Sequence, residues 1–159
     1  MQHLELARTV HAKLLEKKRK LAVAESCTGG LLMATLTEVA GASEYFLGGV
    51  VAYSNELKQQ VLHVMPKTLE LYGAVSAETV IEMAHGLFSV TTANVAISVS
   101  GIFGPTGGTK DKPVGTVWMA IGEKGKKMES RLIPLDEGLL RSQYREKVIT
   151  YLLEALWNL

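Results

Sequence analysis

A short apolar run that passes directly into a polar, glycine-rich turn constrains the fold of this chain more than any other feature. Residues 21–30 read Leu-Ala-Val-Ala-Glu-Ser-Cys-Thr-Gly-Gly, after which apolar residues recur at helical spacing. This pattern predicts a buried strand, a tight turn and the start of a helix. The first N–H groups of a helix lack intrahelical partners, so the turn residues Thr28, Gly29 and Gly30 are predicted to face an anion or oxyanion beside Ser26.

The rest of the chain alternates between apolar runs and amphipathic segments, which is typical of an α/β protein. Further strands are predicted at 46–53, 94–100, 115–121 and 127–135, the last two forming a hairpin. Helices are predicted at 2–18, 28–39, 55–64 (ended by Pro66) and 76–88, with a final amphipathic helix through Tyr144 and Leu159. The unbroken apolar run at 46–53 is typical of a strand that is covered on both faces. We expect one domain over residues 1–159, a three-layer α/β/α sandwich with a mixed, mostly parallel sheet of about five to six strands.

The composition argues against nucleic-acid and membrane partners. Of the 159 residues, 47% are hydrophobic and 21% are charged, and the net charge of +1 gives no broad positive field. The basic run at 17–20 is predicted to be a solvated helix end. Cys27 is the only cysteine, which excludes an intramolecular disulfide. No apolar stretch approaches the ~20 residues of a membrane span and no secretory leader is evident, so we expect a soluble cytoplasmic protein.

The residue types also argue against a transition-metal centre. The four histidines, at positions 3, 11, 63 and 85, form no i, i+4 pair, and one cysteine cannot build a thiolate cluster. The glycine-rich loop at 100–109 lacks the order of a P-loop, and Gly-x-Gly-x-x-Gly does not occur. No metal site is therefore predicted.

Three residues on loops that follow apolar runs are candidates for catalysis. Ser26 lies at a strand-to-helix turn, which is the setting of an activated serine. Lys58 is the candidate base, provided that desolvation lowers its pKa from about 10.4 toward neutrality. Tyr53, at the end of the preceding apolar run, could orient Lys58 or relay its proton.

Each of these residues also has a structural interpretation. Ser26 could be a helix cap, Lys58 a solvated helix residue and Tyr53 an aromatic at the edge of the core. Cys27 could be a thiol nucleophile, although a single cysteine in an apolar helix start is more often a small packed residue. Ser54 lies four residues before Lys58 and could pair with it, but we interpret it as the cap of the short helix.

Four separated motifs resemble the CinA C-terminal-domain family, in order from about residue 5 to the end. They are Ala24–Gly30, Gly48–Asn55 with Lys58, Tyr72–Ser76, and Gly101–Pro105 continuing through Lys112–Val117. The enzymatic members of this family are nicotinamide-nucleotide amidases of the PncC type. The chain departs from the family pattern at Phe103, where a small residue is usual, at Ser100, where threonine is usual, and at Leu139-Leu140, where Gly-Asp is usual.

The resemblance implies hydrolysis of the carboxamide of nicotinamide mononucleotide to nicotinate mononucleotide and ammonia, as part of pyridine-nucleotide salvage. It implies a catalytic centre of Ser26, Tyr53 and Lys58, no metal or organic cofactor, and favours a homodimer. The alternative is a non-catalytic nucleotide-binding or competence-associated partner module. Together the loops and the resemblance assign substrate binding to Thr28, Gly29, Gly30, Asn55, Ser100, Gly101, Gly104, Gly107, Gly108, Arg141 and Arg145.

Arg141 and Arg145 lie one helical turn apart, so they share a face and could clamp the substrate's phosphate. From spacing alone they could equally pair with Glu137 or other acidic neighbours.

Overall fold

Five strands form one mixed sheet in the computed structural model, which describes residues 2–159. The strands are β1 (Leu21–Glu25), β2 (Phe46–Val51), β3 (Val95–Gly101), β4 (Val117–Glu123) and β5 (Glu129–Leu132), in the order β2-β1-β3-β4-β5. Strand β1 pairs in parallel with β2 and β3, whereas β4 pairs antiparallel with β3 and β5. Four strands therefore point the same way and β4 opposes them, which confirms the predicted mixed α/β architecture.

Helices cover both faces of the sheet. They are α1 (Gln2–Glu16), α2 (Leu31–Thr37), α3 (Asn55–Gln60), α4 (Pro66–Tyr72), α5 (Ala77–Val90) and α6 (Arg141–Trp157), with a 3-10 turn at Ala42–Glu44. Helices α1, α2 and α6 pack together on one face, and α5 packs against β1, β3, β4 and β5 on the other. Among residues 2–159, no helix is both long and apolar enough to cross a membrane.

The two faces of the sheet carry side chains of different size. Toward α1 and α6 the strands present large residues such as Val23, Ile97 and Met119. Toward α5 they present alanines, at 22, 24, 96 and 120. Small side chains let a helix axis approach the sheet closely, and α5 packs against β1 and β3 at the centre of the sheet.

Three local predictions are corrected by the structure. Helix α2 begins at Leu31 and not at Thr28, because Gly29 and Gly30 adopt positive φ angles of 64° and 99° and form a turn instead. The short helix predicted at 55–64 ends at Gln60, so Pro66 does not end it. Pro66 instead occupies the first turn of α4, where its missing N–H is not needed.

Strand β2 is not covered on both faces, contrary to the prediction from its apolar run. It lies at the edge of the sheet, and its residues alternate between half-buried and exposed. The face that carries Gly49 meets Met33 of α2, but α2 is only seven residues long and leaves Leu47 and Val51 exposed.

Substituting Gly86 by alanine is expected to destabilise the fold by about 2–4 kcal/mol. Alanine in a helix interior is ordinarily about 1 kcal/mol better than glycine, but here a Cβ would lie 2.0 Å from the Leu62 carbonyl oxygen. Urea denaturation measures the effect, with Ser89→Ala on the exposed side of α5 as the control. A Gly86→Ala variant as stable as the wild type would contradict this packing.

Candidate active site

Ser26 lies where three parallel strands end. Its N–H donates to the Val99 carbonyl of β3 at 3.0 Å, and the N–H of Ala52, just after β2, donates to the Glu25 carbonyl at 2.8 Å. These bonds tie the carboxyl end of β1 to both neighbouring strands. The carboxyl ends of parallel strands are where α/β proteins bind ligands, and Ser26, only 7% exposed, is fixed at that edge.

The carboxylate of Glu25 occupies the amino end of α2. It accepts hydrogen bonds from the amides of Gly30 at 3.0 Å, Leu32 at 3.2 Å and Met33 at 2.8 Å, and Glu25 itself is fully buried. The Gly29 amide donates to the Ser26 carbonyl at 3.1 Å. These amides are therefore engaged inside the protein, and the prediction that those of Gly29 and Gly30 face a ligand is wrong.

Lys58 lies inside the protein with its amine against the serine. Ser54 caps α3 by accepting the Leu57 amide at 3.1 Å, as its cap interpretation predicts, and the Lys58 side chain turns inward with 1% exposure. Its Nζ lies 3.0 Å from Ser26 Oγ and donates to the Ala52 carbonyl at 2.7 Å. The interpretation of Lys58 as a solvated helix residue is therefore wrong.

Burial changes the proton affinity of both candidate groups beside Ser26. Desolvation lowers the pKa of Lys58 from 10.5 to about 8, because the protonated amine is disfavoured away from water. Desolvation raises the pKa of the Cys27 thiol to about 12, so Cys27 holds its proton at neutral pH. The geometry thus offers a serine with an amine base and leaves the cysteine as a packed residue.

A cavity of about 270 Å³ opens in front of this pair. Nine of the predicted site residues line it, and they come from the ends of β1, β2 and β3, from α3 and from the start of α6. They are Ser26, Tyr53, Asn55, Lys58, Ser100, Gly101, Gly104, Gly107 and Arg141. The remaining lining residues are Cys27, Ala74, Val75, Ile102, Phe103 and Thr106. The loops that follow β1, β2 and β3, each of which carries a candidate residue predicted from the sequence, therefore meet at one pocket.

Five predicted binding residues lie elsewhere. Thr28, Gly29, Gly30 and Arg145 line an adjacent cleft of about 480 Å³ together with Glu146. Gly108 is not among the residues that line the cavity or that cleft; it packs against Val114, whose amide nitrogen would lie 2.8 Å from an added Cβ.

Helix α6 fixes the glycine-rich loop that closes the cavity. Arg141 donates to the Gly104 carbonyl at 2.5 Å. Phe103 is 3% exposed and stacks on Tyr144, with ring centroids 5.8 Å apart and an interplanar angle of 7°. The bulky side chain at this position therefore packs in the core and stiffens the loop, and it leaves space in the cavity.

One further part of the cavity wall is not predicted from the sequence. Ala74 and Val75 belong to the segment between α4 and α5, and Ser100 holds it by donating to the Ala74 carbonyl at 2.8 Å. Their signal was present in the Tyr72–Ser76 motif and in the Ser76 cap of α5, which accepts the Thr79 amide at 3.1 Å. Ile102 and Thr106 had no separate signal beyond their position in the glycine-rich loop.

The fold and the site together define an α/β domain with a buried Ser–Lys pair at the carboxyl edge of its parallel strands. The CinA C-terminal domain family matches residues 3–159, and the chain belongs to that family.

Solved structures and curated relatives agree with this assignment. The crystal structure of the competence/damage inducible protein CihA from Agrobacterium tumefaciens matches with a TM-score of 0.94 and 36% identity, covering 100% of this chain and 97% of that one. A CinA superfamily protein from Escherichia coli matches with a TM-score of 0.92 and 29% identity, over 99% of this chain and 90% of that one. A CinA-like protein from Pseudothermotoga lettingae is 45% identical over 149 residues, which are 92% of this chain but 37% of the relative's length. The chain thus spans little more than a third of that curated relative.

Proposed function

We propose that the chain is an amidohydrolase that converts nicotinamide mononucleotide and water to nicotinate mononucleotide and ammonia. The observation that carries the proposal is the 3.0 Å contact between Ser26 Oγ and the buried Nζ of Lys58. A serine paired with an amine of lowered pKa is a nucleophile suited to acyl transfer at a neutral or mildly alkaline pH. The substrate comes from the resemblance of the four motifs to nicotinamide-nucleotide amidases.

The proposed reaction proceeds in two acyl-transfer steps. Neutral Lys58 takes the Ser26 proton while Oγ forms a bond to the carboxamide carbon, and the carbonyl electron pair moves onto its oxygen. When that oxyanion collapses, the C–N bond breaks and Lys58 returns the proton to the leaving ammonia. Lys58 then takes a proton from a water molecule as its oxygen bonds to the acyl carbon, and returns that proton to Ser26 Oγ as the ester C–O bond breaks. The positively charged pyridinium withdraws electrons from the amide and favours both attacks.

The oxyanion requires donors other than the first turn of α2. The Glu25 carboxylate already holds the amides of Gly30, Leu32 and Met33. We propose the amide of Cys27, which directly follows the nucleophile and lines the same cavity, because the backbone N–H at that position serves as an oxyanion donor in other serine hydrolases.

Arg141 is the proposed partner of the substrate's phosphate. It lines the same cavity as Ser26, beside the glycine-rich loop that contributes Gly104, Thr106 and Gly107. A guanidinium can bind a phosphate through two parallel N–H bonds. Arg145 lines the adjacent cleft, so we assign it no direct contact with a substrate bound at Ser26.

The value of kcat/KM for nicotinamide mononucleotide is expected to rise about tenfold per pH unit on the acidic side and to level off near pH 8. Only the neutral amine can accept the Ser26 proton, and burial lowers the pKa of Lys58 to about 8. Initial rates between pH 6 and pH 9.5 measure the profile. A rate that still rises tenfold per unit at pH 9.5 would contradict a desolvated Lys58 base.

The proposal is tested by incubating the purified chain with nicotinamide mononucleotide and following ammonia release together with the formation of nicotinate mononucleotide. Stoichiometric amounts of both products are expected. Calorimetric binding of the nucleotide without product formation would instead support the partner-module alternative. If the chain neither binds nor hydrolyses the nucleotide, the amidase proposal and the partner-module alternative are both contradicted.

A further inference from the structure

We propose that Tyr53 binds the pyridinium ring of the substrate with the face of its own ring and takes no part in moving the Ser26 proton. The inference rests on the proposed function, since the substrate's ring carries the positive charge. It differs from the role that sequence reasoning assigned to Tyr53, which was to orient Lys58 or relay its proton.

The contacts of Lys58 leave no place for Tyr53 in the proton path. In the part of the chain that the structure describes, the amine has two hydrogen-bond partners, Ser26 Oγ at 3.0 Å and the Ala52 carbonyl oxygen at 2.7 Å. The phenol hydroxyl of Tyr53 forms no hydrogen bond to Lys58 or to Ser26 within residues 2–159. Lys58 is 1% exposed whereas Tyr53 is 62% exposed, so the two side chains occupy different environments.

The position of Tyr53 suits a ring that receives a ligand. It lies just beyond β2 and lines the cavity that contains Ser26, while most of its surface is open to solvent. An exposed tyrosine at the mouth of a cavity presents a large, rigid surface that loses little conformational freedom on binding. Phe103, the other aromatic side chain that lines this cavity in the described residues, is already stacked on Tyr144.

The charges around the cavity make the tyrosine ring the available partner for a cation. Among the described lining residues there is no aspartate or glutamate, and the two charged types present are Lys58 and Arg141, both basic. A pyridinium therefore finds no carboxylate counterion in this wall. The electron-rich face of a tyrosine attracts a cationic ring within about 6 Å of its centroid, and Tyr53 is the side chain that can offer it.

Two substitutions separate ring binding from proton relay. Tyr53→Leu removes the aromatic face, and Tyr53→Phe keeps the face but removes the hydroxyl; at 62% exposure neither is expected to alter folding, which urea denaturation checks. We expect Tyr53→Leu to raise KM for nicotinamide mononucleotide roughly tenfold with kcat within about threefold. We expect Tyr53→Phe to restore KM to within about threefold and to keep the wild-type pH profile. A Tyr53→Phe variant whose kcat falls a hundredfold would overturn the inference in favour of a proton relay.

Binding to proteins that also carry Ser26→Ala tests the charge dependence without turnover. Calorimetry compares nicotinamide mononucleotide with its dihydro form, whose ring is neutral. Tyr53→Leu is expected to weaken binding of the cationic ligand about tenfold and binding of the neutral ligand less than about threefold. Equal losses for both ligands, or no loss for the cationic one, would overturn the inference. If the wild type binds but never hydrolyses the nucleotide, the proposed function fails while these binding data still decide the role of Tyr53.

Discussion

Replacing Lys58 by methionine is expected to lower turnover of nicotinamide mononucleotide on the order of a thousandfold, because Ser26 loses the base that accepts its proton. Methionine has a similar length and is apolar, so it fills the buried space that Lys58 occupies at 1% exposure. The loss should appear in kcat, since the lysine acts in the chemical step and not in holding the substrate. Initial-rate measurements on both proteins at pH 8 give the comparison.

The same substitution is expected to change how stability depends on pH. The pKa of Lys58 is about 8 in the folded protein and 10.5 as its ordinary value, so the unfolded chain binds more protons between these two values. The stability of the wild type relative to Lys58→Met is therefore lowest below pH 8 and rises as the pH increases toward 10.5. The full difference is roughly 3 kcal/mol.

Urea denaturation at pH 7 and pH 10 measures this effect, and the exposed Lys67→Met is the matched control. Lys67→Met should show no comparable difference between the two pH values. If the difference in the free energy of unfolding between Lys58→Met and the wild type is the same at pH 7 and pH 10, Lys58 is not desolvated in the folded protein. If Lys58→Met retains turnover of nicotinamide mononucleotide, Lys58 is not the base that accepts the Ser26 proton.

Substituting Glu25 by alanine is expected to destabilise the fold by about 3–5 kcal/mol, the second large effect. Its buried carboxylate accepts three backbone N–H groups at the start of α2, from Gly30, Leu32 and Met33. Without it these donors lie unsatisfied or require water to enter the turn. Because Ser26 directly follows Glu25, turnover should fall as well.

Urea denaturation and amide hydrogen exchange at Gly30, Leu32 and Met33 measure the loss of this cap. Glu25→Gln should fall between the wild type and Glu25→Ala, since it keeps one acceptor oxygen but brings a donor toward N–H groups. Glu38→Ala, on the exposed end of α2, is the control and should cost less than about 0.5 kcal/mol. A loss below about 1 kcal/mol for Glu25→Ala would contradict the structural role of the carboxylate.

The sequence predicts most of the architecture, because apolar runs and helical periodicity report local structure directly. It also predicts that Ser26 and Lys58 belong to one site, since each lies on a loop or helix start that follows an apolar run. It does not give the order of strands within the sheet, so the apolar run of β2 looked like a strand covered on both faces although it lies at the edge.

The errors at the site concern where side chains point. Neither composition nor spacing shows that Glu25 turns into the amino end of α2 and occupies amides that otherwise look available for a ligand. Likewise, one helical turn of separation puts Arg141 and Arg145 on a common face, where both line a cleft beside Phe103 and Pro105, but of the two only Arg141 also lines the cavity that contains Ser26. Such outcomes depend on tertiary contacts far apart in sequence.

The nucleophile is tested most directly by measuring ammonia release from nicotinamide mononucleotide with the wild type, Cys27→Ala and Ser26→Ala side by side. The two variants change neighbouring residues, and urea denaturation confirms that each variant is folded. The account predicts turnover in the wild type and in Cys27→Ala, with a loss on the order of a thousandfold or more in Ser26→Ala. Undiminished turnover in Ser26→Ala, or its loss in Cys27→Ala alone, would contradict the assignment of Ser26 as the nucleophile.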